Sequence, residues 1–71
     1  MSARLAPRER QIIRALAAGA TNREIAARLG LKEQTVKNRL SVIYGKLGAR
    51  NRLELVVHAR RYGLSEHRTD D

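Results

Sequence analysis

The chain has no cysteine, no phenylalanine and no tryptophan, and only one proline. Without Cys, neither a disulfide framework nor a thiolate zinc site can hold a small fold together. Two Tyr are the only aromatic residues. That is too few for a platform that stacks single-stranded bases. Trp and Phe, which favour helices lying in a membrane interface, are missing altogether. No apolar run approaches the ~20 residues of a membrane span, and residues 1–15 lack the apolar centre of a signal peptide. The expectation is a cytoplasmic chain with no membrane partner. Acidic residues are also scarce: seven Asp+Glu face fifteen Lys+Arg, a formal net charge of +8. That excess favours a polyanionic partner.

Signs of catalysis are missing too. There is no GxxxxGK phosphate loop. Ser2, Ser41 and Ser65 have no evident His and acid partners, and His58 and His67 stand nine residues apart with no Cys near them. No enzyme, no metal and no cofactor is expected. A chain of 71 residues hides only roughly 60% of its unfolded surface, so one marginal domain over 1–71 is the expectation. Either close helix packing or a partner subunit must support it.

What is present is helical. Leu5, Ile12, Ile13 and Leu16 mark a first amphipathic segment over 7–18, with Pro7 at its first position and Gly19 as its stop. Glu9 stands where a capping-box acid belongs, but Ala6 offers no side-chain oxygen. Thr21 with Glu24 is a full capping box. Ile25, Ala26 and Leu29 follow on one face, and Gly30 closes the second helix. A third helix spans 33–47, with Val36, Leu40, Ile43 and Leu47 as one apolar stripe and Gly48 at its end. Asn51 caps a fourth helix, which Gly63 ends after Tyr62. No segment alternates with period two. The fold class is all-α: a compact four-helix domain with an ordered core over about 5–64 and a flexible polar tail at 65–71.

Two short helices joined by Gly30, Leu31 and Lys32 form a helix-turn-helix pattern. On the third helix, Gln34, Lys37, Asn38, Ser41 and Gly45 lie opposite the apolar stripe, and all are polar or small. A B-DNA major groove admits an α-helix. Asn and Gln pair with adenine there, Lys reaches guanine, and Ser bonds either. Gln34, Lys37, Asn38 and Ser41 are therefore the base-reading candidates. Arg23, Lys32, Thr35, Arg39 and Lys46 flank them and suit phosphates.

At these residues the chain resembles the LuxR/FixJ/GerE-type DNA-binding domains. The resemblance runs from Leu5 to Leu64. It rests on "LAPRERQII" at 5–13, "AAGATNREIAARLGL" at 17–31, "TVKNRL" at 35–40, "IYGKLGARNR" at 43–52 and "GL" at 63–64. It implies a transcription regulator that binds double-stranded DNA with its third helix in the major groove. Lys37 and Asn38 then face bases or nearby phosphates, and Thr35 and Lys46 meet the DNA backbone. It also implies that the fourth helix pairs two chains over two half-sites. The family pattern usually has Thr where Ala6 stands, Ser or Thr at Lys32, His at Arg39 and a basic residue at Gly45. Family members usually carry a receiver or ligand-sensing domain before this module. The 71 residues hold none, which fits either a stand-alone regulator or a piece of a longer one.

The fourth helix carries two stripes. Leu55, Val56 and Ala59 make the inward one; Leu53 and Val57, with Arg61 beside them, make a second. A two-fold pairing through Leu53, Val57 and Arg61 would hide the second stripe. The contact is expected to be small, and the free homodimer weak and DNA-assisted. RNA polymerase is a further candidate partner, with no residue assigned to it. Two other functions compete: a promoter-reading domain like that of a sigma factor, which the fourth helix and "KLGARNR" disfavour, and a basic protein–protein adaptor that binds no DNA.

Overall fold

The computed structural model of the protein describes residues 5–61. Four helices follow in order: α1 (Pro7–Ala17), α2 (Asn22–Leu29), α3 (Glu33–Leu47) and α4 (Arg52–Arg61). This is the all-α helix-turn-helix arrangement that the sequence predicts. The stop expected at Gly63 and the tail at 65–71 lie outside the described residues.

Each boundary has a local cause. Pro7 opens α1 after an extended Ala6, and the Glu9 carboxylate accepts the Ala6 N–H at 2.8 Å. α1 ends one residue earlier than the sequence reading, with Ala18 as its C-cap before Gly19. Thr21 Oγ1 accepts the Glu24 N–H at 3.1 Å, and Glu24 Oε1 accepts the Thr21 N–H at 2.8 Å. This reciprocal pair satisfies two amides that a helix start leaves orphaned. Gly30 then turns left-handed (φ 68°), and the Leu31 N–H returns to the Ala26 carbonyl at 2.9 Å. A residue with a Cβ would adopt that conformation only at a cost, so glycine sets this turn. α3 begins after Lys32, whose side chain makes no capping bond. Asn51 Oδ1 accepts the Glu54 N–H at 2.9 Å and so caps α4.

The core is a single cluster. Ile12, Ile13 and Leu16 of α1 meet Ile25 of α2, Val36, Leu40 and Ile43 of α3, and Leu55 and Ala59 of α4. The predicted stripes of all four helices are thus the buried ones, with Leu29, Leu47 and Val56 packed at the edge. α1 touches each of the other helices, and α2 lies against α3. α2 is too short to hold a helix alone in water; Ile25 and Ala26, both buried, anchor it. The inward stripe of α3 therefore fixes which of its residues face outward.

Candidate nucleic-acid interface

Gln34, Lys37, Asn38, Ser41 and Gly45 are all exposed on the side of α3 away from Val36, Leu40 and Ile43. The first four of these form one donor and acceptor surface. Gln34 donates its Nε2–H to Asn38 Oδ1 at 3.0 Å, one helical turn along. That bond holds the two amides side by side. Asn38 Oδ1 retains a second lone pair and Nδ2 its donors, the set that adenine N6 and N7 require.

The flanking phosphate candidates are placed differently from one another. Lys32 and Arg39 are exposed, Thr35 is half-buried, and Arg23 stands exposed in the first turn of α2. Lys46 has a partner within the domain. Its ammonium donates to both oxygens of Glu9, at 2.9 and 3.0 Å. Glu9 is buried on α1 and Lys46 about one-third exposed, so the pair ties the start of α1 to the last turn of α3. The bond from Lys46 holds the Glu9 carboxyl below its ordinary value. The Ala6 N–H and the charge of Arg39 add to this, and burial opposes it. Glu24 is lowered as well, chiefly by the Thr21 N–H.

On α4, Leu53 is 73% exposed and Val57 48%, with Arg61 also exposed. The second stripe is thus uncovered, while Leu55 and Ala59 face the core. Leu53 borders a shallow groove of about 730 Å³, shared with Leu16, Ala20 and Val56. Arg52 crosses one end of it, donating to Asn22 Oδ1 at 2.9 Å and to the Ala20 carbonyl at 2.7 Å. His58 sits half-buried on the same helix; His67 lies outside the described residues.

Three features are absent from the sequence reading. The Glu9–Lys46 pair spans 37 positions and the Arg52 bridge to Asn22 spans 30, and no periodicity signals either. Val42 is the third. It is 53% exposed on the outward side of α3, one turn beyond Asn38. Its place on the helical wheel was available, but a search for polar residues passes over it.

Two helices set at a turn, the second presenting polar and cationic side chains to solvent, define a helix-turn-helix regulatory domain. The family described as "GerE: Bacterial regulatory proteins, luxR family" matches residues 3–59, and the chain belongs to it. It is similar to the probable HTH-type transcriptional regulator GfsR of Streptomyces halstedii: 51% identical over 53 residues, covering 75% of this chain and 22% of that protein. The probable transcriptional regulatory protein SgaR of Hyphomicrobium methylovorum is 45% identical over 64 residues, covering 90% and 30% respectively. The transcriptional regulatory protein YdfI of Bacillus subtilis is 43% identical over 60 residues, covering 84% and 28%. The chain thus spans less than a third of the length of each of these relatives. Among the described residues, no helix is long and apolar enough to cross a membrane.

Proposed function

We propose that this domain binds double-stranded DNA in a sequence-specific way as part of a cytoplasmic transcription regulator, with α3 in the major groove. The observation that carries the reading is the outward face of α3. Four side chains able to bond base edges project from a helix whose other side is locked into the core. Gln34, Lys37, Asn38 and Ser41 read bases. Arg23, Lys32, Thr35 and Arg39 hold phosphates. Lys46, which also bonds Glu9, contacts the DNA backbone at the end of α3. Phosphate contacts supply affinity and register; base contacts supply sequence choice. The domain acts by binding, not by catalysis. Relatives named as transcriptional regulators support the regulatory part of the reading. The exposed Leu53, Val57 and Arg61 pair two chains on adjacent half-sites. RNA polymerase is a further partner of the assembled regulator.

Selection from a random duplex pool, followed by gel shifts across a salt series, tests this. Log affinity should fall against log salt with a slope of roughly −0.9 per neutralised phosphate. Lys37→Ala and Asn38→Ala should flatten the selected motif. A Lys37→Ala protein that enriches the wild-type motif with unchanged affinity would remove α3 from the role of reading helix.

A further inference from the structure

The outward face of α3 is polar only in part. Val42 interrupts it, 53% exposed although its neighbour Ile43 is fully buried. The other large apolar residues exposed among the described residues, Leu53 and Val57, stand on α4. Gly45 follows Val42 by three positions on the same face, and its φ is not positive. A Cβ built at Gly45 would meet nothing within 4 Å. Neither backbone conformation nor space inside the domain therefore calls for glycine, although glycine disfavours a helix interior relative to alanine. An isopropyl group and a bare stretch of backbone thus lie together where the preceding turns carry amides.

On the reading of α3 as the reading helix, one base-edge group matches this surface. It is the C5-methyl of thymine, which projects into the major groove and is recognised by apolar contact. We infer that Val42 reads a thymine in each half-site by packing against its C5-methyl, and that Gly45 leaves the clearance that lets the duplex approach. Asn38, one turn earlier, then bonds an adjacent base. Sequence choice by this domain combines hydrogen bonding from Gln34, Lys37, Asn38 and Ser41 with methyl contact from Val42.

The test uses the duplex that the full 71-residue chain enriches from a random pool. Each thymine is replaced singly by deoxyuridine, which keeps the Watson–Crick edge and lacks only the methyl. One position per half-site should then weaken wild-type binding by about fourfold, the size of one methyl contact. The same replacement should leave Val42→Ala unchanged, and Val42→Ala should bind the thymine duplex about as weakly as the wild type binds the uracil one. Gly45→Ala should melt at higher temperature yet bind the duplex less tightly. Exposed Val42 lets the Ala variant fold, which circular dichroism checks. If every uracil replacement affects wild type and Val42→Ala alike, Val42 does not read thymine, whatever else α3 does. If the wild type enriches no duplex, the DNA-binding reading itself fails and this inference falls with it.

Discussion

Glu9 shows how one side chain serves two ends of the molecule. Its carboxylate takes the Ala6 N–H at the start of α1 and the Lys46 ammonium from α3. A hydrogen bond to a charged group contributes about 1.5–3 kcal/mol when its partners are largely out of water. Partial exposure of Lys46 lowers that here. Glu9→Ala should therefore destabilise the domain by roughly 1–3 kcal/mol in urea titrations. The sign of the pH effect follows from the direction of the shift. The folded-state pKa lies below the ordinary 4.5, so the contribution is complete above that value. It fades as pH falls through the lower folded value. Melts of wild type and Glu9→Gln should stay a constant distance apart near neutrality and converge in acid below 4.5. A gap that persists unchanged in acid would mean that the charge of Glu9 is not its source. The capping half of this role was legible, because cap and acid are three residues apart. The bond to Lys46 was not, since only the folded chain brings α1 and α3 together.

At the scale of the helices, nearly everything was legible, because starts and stops are set by neighbouring residues. Thr21 with Glu24, Gly30, Gly48 and Asn51 each act within a turn of their own position, and α2 and α3 fall where they were expected. The outward face of α3 was legible as polar. Val42 was not, because an apolar residue off the core stripe carries no periodic signal. The weak point among the elements is the start of α3. Lys32 makes no cap bond and places a positive charge at the positive end of a helix dipole. Lys32→Ser should stabilise the domain by about 1 kcal/mol, raising its melting temperature by roughly 4–8 °C for a domain of this size. The same change should cost DNA affinity and reduce the salt slope by about 0.9, as expected for one lost phosphate contact. A variant no more stable than wild type would show that the turn before α3 already satisfies the helix start without a cap. An unchanged slope would take Lys32 off the phosphates.

For the molecule as a whole, composition indicated a polyanion as partner, and the apolar stripes indicated one core. Which stripe of α4 turns inward was legible too, from the spacing of Leu55, Val56 and Ala59; the bridge from Arg52 to Asn22 and Ala20 was not, because only the folded chain brings them together. The structure buries Leu55 and Ala59 and leaves Leu53 and Val57 outside. Leu53→Asp should leave the fold intact, since Leu53 is 73% exposed, and should abolish two-chain complexes on a two-half-site duplex in sedimentation experiments. Undiminished cooperative assembly would rule out pairing through this face. Arg52 gives such pairing a mechanical meaning. Its guanidinium grips the Ala20 carbonyl and the Asn22 amide, so the first turn of α4 is pinned to the corner from which α2 departs. A chain held at α4 by a twin, as proposed, would thereby be held at its helix-turn-helix as well. Under the proposed pairing, the pitch between two half-sites would become a dimension that the pair measures, like the fixed jaws of a gauge, and a DNA insertion of a few base pairs between them should be rejected rather than accommodated.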